Sequence, residues 1–184
     1  GTLDLPLPAL EGPHQIQNAG TAIAALRALP GFSISAEEFS RGLAAVQWPA
    51  RLQRLDQGPL MRMLPSAAEL WLDGGHNPSA GEALTAALSA LTPPRPVYLI
   101  MGMIRTKDAG AFLAPLAGGI AGVYPVPIPG EPGSLSPDDL MAIANDLGIP
   151  AVPCDLVGDA LAAIAHLCAP TQPRVVICGS LYLA

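Results

Sequence analysis

Glu69-Leu70-Trp71-Leu72-Asp73-Gly74-Gly75-His76-Asn77-Pro78 is the stretch on which the fold turns. Leu70 and Leu72 recur at a spacing of two, so residues 68–73 read as a strand. Asn77 then supplies a helix cap and Pro78 the first helical position, opening a helix that runs to about Leu91. Strand, glycine turn and helix in that order begin a parallel crossover unit, and the same alternation continues downstream. Residues 96–101 are a continuous apolar run, as in a strand covered on both faces. A helix is expected over 108–117 and a strand over 120–126, before a proline-rich loop. Ser136-Pro137-Asp138-Asp139 starts another helix, with its acids at the positive end of the dipole. A short strand at 151–153, a helix at 158–168 and a strand at 174–178 complete the pattern. Upstream, 51–56 and 61–65 are strand candidates. The expectation is an α/β fold: a Rossmann-like, mostly parallel sheet with helices on both faces.

The pattern changes at Trp48-Pro49. Before it, Pro6, Pro8 and Gly12-Pro13 mark an extended or looped start. His14 to Leu29 then places Ile16, Ala19, Ile23 and Leu26 on one helical face, which Pro30-Gly31 ends. Ser35 and Glu38 form a capping box for a second helix with Phe39, Leu43 and Val46 as its stripe. The expected division is therefore a helical segment over 1–47 and an α/β domain over 48–184.

The 184 residues are 51% hydrophobic and 13% charged, which excludes a disordered tail. Three cysteines, Cys154, Cys168 and Cys178, lack metal or CxxC spacing and read as reduced core residues of a cytoplasmic protein. Mean hydropathy is +0.41, yet no apolar run is long enough to span a membrane, because alanine and proline raise the figure. A net charge of −6, with one lysine and eight scattered arginines, offers no basic stripe for nucleic acid. The start, Gly1-Thr2-Leu3-Asp4, has no signal-peptide pattern.

Open α/β sheets bind ligands beyond the carboxyl ends of their strands. Three such ends carry small residues: Asp73-Gly74-Gly75-His76-Asn77, Met101-Gly102-Met103 and Gly179-Ser180-Leu181-Tyr182. The first brings a carboxylate, an imidazole and free helix amides together, suited to a ribose, a phosphate or a carboxylate; read blandly, Asn77 caps a helix and Asp73 makes a turn. His14-Gln15 and Arg51 carry no special weight by spacing alone. His166 reads as a structural histidine, and Lys107-Asp108 as either a substrate contact or a cap. There is no phosphate-binding lysine loop, no GxGxxG fingerprint and no nucleophile elbow.

Taken together, His14-Gln15-Ile16-Gln17-Asn18-Ala19, Trp48-Pro49-Ala50-Arg51-Leu52-Gln53, Asp73-Gly74-Gly75-His76-Asn77-Pro78 and Gly179-Ser180-Leu181-Tyr182 resemble, in order, the folylpolyglutamate synthases and bifunctional dihydrofolate synthases of the Mur ligase superfamily. The resemblance runs from His14 to Tyr182. Ala50 departs from the glycine commoner in that segment, while Arg51 is kept. The resemblance implies a C-terminal ligase domain that closes over ATP held by an N-terminal ATPase domain, with 1–47 as the last helices of the latter. It thereby implies a piece of a longer enzyme, which would account for the absent phosphate loop and initiator Met.

The implied reaction joins L-glutamate to dihydropteroate or to a folate tail through an acyl phosphate, with ATP and magnesium. Magnesium would be bound mainly by the missing domain. By the same resemblance, Asn18 approaches the adenine, His14 and Gln15 shape that corner, and Arg51 reaches the phosphates. Asp73 contacts ribose or base, His76 lies where nucleotide and glutamate meet, and Ser180 holds glutamate. The implied partners are these substrates and the chain's own ATPase domain; a monomer is expected, and the 184 residues alone are expected to be inactive. Two alternatives stand beside this: a Mur-type ligase acting on a cell-wall precursor, and a stand-alone nucleotide or amino-acid binding module.

Overall fold

A computed structural model describes residues 2–168 and 172–184. Two helices come first, α1 (Pro13–Ala28) and α2 (Ala36–Ala45). Then follow β1 (Gln53–Leu55), β2 (Glu69–Leu72), α3 (Pro78–Ala90), β3 (Val97–Met101), α4 (Ala109–Leu113), β4 (Gly122–Pro125), α5 (Pro137–Asp146), α6 (Val157–Leu167) and β5 (Arg174–Cys178). The strands form one sheet in the order β1-β2-β5-β3-β4. Only β1 runs antiparallel to its neighbour; β2, β5, β3 and β4 are parallel. This is the mostly parallel sheet expected.

Side chains alternate between two cores, as the period of two in a strand requires. Trp71, Leu99, Met101, Val123 and Val176 face α3, α4 and α5. Leu70, Ile100, Tyr124, Val175 and Ile177 face α6 and a single 3-10 turn at Met61–Met63. Helices therefore cover both faces, with the crossovers bringing three to one side and one to the other. None of the helices in the described residues is long and apolar enough to cross a membrane.

The caps form as read. Asn77 Oδ1 accepts from the Ala80 amide, Ser136 Oγ from Asp139, and Ser35 and Glu38 make the reciprocal box. Asp108 caps α4, and the side chain of Lys107 is exposed.

Four expectations need correction. Residues 61–65 form no strand: Met61–Met63 is a 3-10 turn, Met61 and Leu64, three apart, pack on the α6 face, and Met63 is exposed. The strand expected over 51–56 is only three residues long. The helix expected over 108–117 is α-helical to Leu113 and tightens into a 3-10 turn at Ala114–Leu116, where Pro115 sits. At 151–153 there is one isolated bridge, Ala151 to Val123, at the free edge of β4. Pro150 and Pro153 flank it and cannot donate to a ladder.

In α1 the sole buried side chain is Gln15, and Ile16 and Leu26 of the expected apolar face are exposed. That face borders an open groove of about 540 Å3 between α1 and α2, lined by Ala19, Ile23, Leu26, Phe39, Leu43 and Trp48 among others.

Candidate functional site

Beyond the carboxyl end of β2 lies a crevice of about 390 Å3, between α1, the 51–52 loop and the first turns of α3. His14, Gln15, Asn18, Arg51 and Asp73 line it together with Asn77 and Ser79. Five of the seven residues singled out from the sequence are thus brought to one place from three separate segments. His76 and Ser180 are not in its lining.

The α1 wall is a directional chain of hydrogen bonds. Asn18 Nδ2 donates to Gln15 Oε1 (3.1 Å), and Gln15 Nε2, which can only donate, faces His14 Nε2 at 2.9 Å. The neutral ring therefore carries its proton on Nδ1. Asn18 is left with its carbonyl oxygen and one amide proton uncommitted at the crevice.

Arg51 has no hydrogen bond or ion pair among the described residues, although its guanidinium side chain lines the crevice. Its neighbours Ala50 (φ 56°) and Leu52 (φ 44°) are both in the left-handed region. That region costs a residue with a Cβ about 1–2 kcal/mol, which explains why glycine suits position 50 better than the alanine found here.

The Asp73 carboxylate is already engaged. Oδ2 accepts from the Leu52 amide (2.9 Å) and Oδ1 from the Gly75 amide (2.7 Å). A Cβ on Gly75 would lie 2.7 Å from Asp73 Oδ1 and 2.9 Å from the Ala80 methyl, so this turn requires glycine. At Gly74 a Cβ would meet the half-exposed Leu181 side chain, which can swing aside, so that position is less constrained.

His76, half-buried, places Nδ1 2.9 Å from the Gly74 carbonyl oxygen. A carbonyl only accepts, so Nδ1 carries a proton, and in the neutral ring it is Nε2 that presents the lone pair. Ser180 is buried, and its Oγ accepts from the Tyr182 amide (3.1 Å), turning the chain at the end of β5. The Gly179 amide donates to the Gly75 carbonyl, so this turn abuts the His76 loop. Cys178 lies beneath; burial, then the nearby Asp73 carboxylate, push its thiol well up, so it is inert at neutral pH. His166 is exposed on α6.

Among the described residues no three His, Cys, Asp or Glu side chains gather as a metal site requires. The crevice lining holds one carboxylate, Asp73, which already accepts from two backbone amides, so these residues do not supply a magnesium ion with a ligand set of their own.

Sequence reasoning missed one polar cluster, at the opposite end of the sheet. Glu69 and Arg174 stand directly opposite in the β2–β5 register, and Arg174 Nε donates to Glu69 Oε2 at 2.6 Å. Trp71 Nε1 donates to the same oxygen (3.2 Å), and Arg95 Nε lies 3.5 Å from Oε1. Burial alone would raise the Glu69 carboxyl, but the Arg174 and Trp71 hydrogen bonds and the two arginine charges hold it below its ordinary value. Only the strand pairing reveals this cluster, since its partners are 105 residues apart.

Residues 61–181 match the family model described as Mur ligase, glutamate ligase domain. The folylpolyglutamate synthase of Lacticaseibacillus casei is 33% identical over 98% of this chain and 39% of its own length. A Mycobacterium tuberculosis folylpolyglutamate synthase solved with ADP and AMPPCP superposes with a TM-score of 0.82 at 26% identity, covering 96% of this chain and 39% of that one. Escherichia coli FolC, solved with DHPP and ADP, gives 0.78 at 31%, covering all of this chain and 40% of that one. The chain thus spans about two fifths of the length of these relatives. By sequence and by fold it belongs to the Mur ligase family, in which residues 61–181 are a glutamate ligase domain.

Proposed function

We propose that this chain is the C-terminal part of an ATP-dependent ligase that joins L-glutamate to dihydropteroate or to the glutamate tail of a folate. The observation that carries this is the crevice itself: an unpaired arginine, an uncommitted asparagine amide and the start of α3 converge there from three segments. Asn18 offers one acceptor and one donor, the pair that matches the amino group and ring nitrogen on an adenine edge. Gln15 fixes the orientation of that amide and His14 fixes Gln15. Arg51 supplies a planar charge for the phosphates, where negative charge builds during transfer.

The reaction proceeds in two balanced steps. The acceptor carboxylate attacks the γ-phosphorus of ATP, forming the acyl phosphate as the bond to ADP breaks. The uncharged amine of glutamate then attacks the acyl carbon, the carbon–oxygen bond to phosphate breaks, and the amine's proton passes to the released phosphate. His76 Nε2 lies at the turn where nucleotide and glutamate would meet, and Ser180 would hold a glutamate carboxylate after repacking of its turn. Water must be kept from the acyl phosphate, which closure of two domains achieves.

Residues 1–47 belong, in this proposal, to the ATPase domain, whose remainder would fill the groove between α1 and α2. Magnesium would be held there too. The 184 residues alone would fold without turning over ATP. The test is glutamate ligation by the full-length parent with dihydropteroate and tetrahydrofolate as acceptors, beside Arg51→Ala and His76→Ala. Extension of either acceptor, with both substitutions cutting the rate by about a hundredfold or more, supports the proposal. Extension of neither overturns it, and cell-wall precursors become the acceptors to try.

A further inference from the structure

We infer that Gln15 is a specificity-determining residue that acts through Asn18: it fixes which way the Asn18 amide faces, so that the crevice takes a 6-amino purine nucleotide and rejects a 6-oxo one. The inference rests on the ATP-ligase proposal, in which Asn18 meets the nucleobase. Asn18 is exposed, and among the described residues its side chain has one hydrogen bond, from Nδ2 to Gln15 Oε1 at 3.1 Å. A solvated asparagine held by nothing turns its amide over at little cost and reads either kind of base. Asn18 is not free in this way. Gln15 lies three residues earlier on the same face of α1, is 4% exposed and is the sole buried side chain of that helix. Solvent therefore does not compete for its carbonyl oxygen, and turning Asn18 over would set two amide oxygens against each other.

Gln15 is itself held. Its Nε2 faces His14 Nε2 at 2.9 Å, and the His14 ring is seated against the backbone of Gly12, where an added Cβ would lie 2.7 Å from Cε1. The Asn18 amide, the Gln15 amide and the His14 proton can thus reverse only together, which ties three groups to one direction. In that direction Asn18 keeps Oδ1 and one Nδ2 proton for the ligand. The oxygen meets the amino group of adenine and the proton a ring nitrogen. A 6-oxo purine brings an acceptor where adenine brings a donor, so it would face Asn18 oxygen to oxygen.

The test uses the full-length parent and reads kcat/KM for ATP, for inosine triphosphate and for purine riboside triphosphate, which carries hydrogen in place of the amino group. The expected wild-type order is ATP, then the purine riboside nucleotide, then inosine triphosphate, with about ten- to a hundredfold between first and last. A freely turning amide would instead rank inosine triphosphate level with or above the purine riboside nucleotide, and that order overturns the inference with no variant needed. Gln15→Met, which keeps the length and loses the amide, should shrink the preference for ATP over inosine triphosphate by about tenfold. Gln15→Glu, whose carboxylate beside His14 only accepts and so keeps an Asn18 Nδ2 proton turned toward it, should retain the wild-type preference. An unchanged ratio in Gln15→Met, or a ratio that falls equally in Gln15→Glu, overturns the inference. Asn18→Ala separates the two layers. If it leaves KM for ATP unaltered, the proposed contact with the base fails first and this inference with it; if it raises KM while Gln15→Met keeps the ratio, this inference alone fails. Thermal melting follows folding, and should Gln15→Met not fold, the wild-type order decides by itself.

Discussion

Arg51, beyond the carboxyl ends of the strands, has no partner among the described residues; Arg174, at their amino ends, is 1% exposed and bonded to Glu69 at 2.6 Å. The two sites handle one side chain in opposite ways. At the amino end Arg174 and Glu69 are buried against each other, with Arg95 beside them. At the carboxyl end the backbone holds two left-handed residues, the turn has no room for a Cβ at Gly75, and a cation is left over. The first arrangement serves the fold. The second keeps a charge available for a ligand, at a local conformational cost.

Exchanging the test between the two ends breaks or upholds this contrast. Arg51→Ala should lower ligation in the full-length parent by about a thousandfold, as removal of a charge-stabilising group from phosphoryl transfer does, while its urea midpoint stays near wild type. Arg174→Met should do the reverse. Stranding a buried carboxylate costs about 3–5 kcal/mol, read as a lower urea midpoint, with kcat of the remaining folded enzyme little changed. Equal effects of the two substitutions on stability would erase the distinction.

A pH titration sharpens the amino end further. The folded carboxyl of Glu69 is held below its ordinary value of 4.5. Ionised Glu69 therefore adds stability that is fully present above that value and is lost as pH falls through the lower folded value. The wild-type chain should lose urea resistance more steeply below pH 4.5 than Glu69→Gln does. Parallel acid limbs would mean that Arg174 and Arg95 do not favour the charged form.

The smallest expected effect is at the carboxyl end. Ala50→Gly should stabilise the protein by about 0.5–1 kcal/mol, because the left-handed region carries no Cβ penalty for glycine, offset in part by the greater freedom of the unfolded chain. The same thermal or urea unfolding measures it, and a loss of stability would show that the turn at Ala50 is not strained.

Much of the framework was legible in the residues. Alternation over 68–73, the apolar run at 96–101 and the capped helix starts at Ser35, Asn77 and Ser136 all depend on neighbours within four positions, and all appear where expected. Residues 61–65 misled because Leu60, Met61, Met63 and Leu64 fit a period of two about as well as a period of three, and only the surface of α6 selects the latter. The site was legible in part. His14, Gln15, Asn18, Arg51 and Asp73 do meet in one crevice, whereas His76 and Ser180 lie outside its lining, on the neighbouring loops. That Asp73 would have both oxygens taken by backbone amides had no sequence signal, since one of those amides lies on a different segment.

The sequence by itself determined the caps, the strand faces, the glycine turns and the family, because these depend on local spacing or on motifs in order. The tertiary structure alone decided that β5 inserts between β2 and β3, that Glu69 meets Arg174, and that Ala50 and Leu52 are held left-handed. Each of these depends on pairing between segments 21 to 105 residues apart. Such pairing is set by how whole helices and strands pack, and no local preference encodes it.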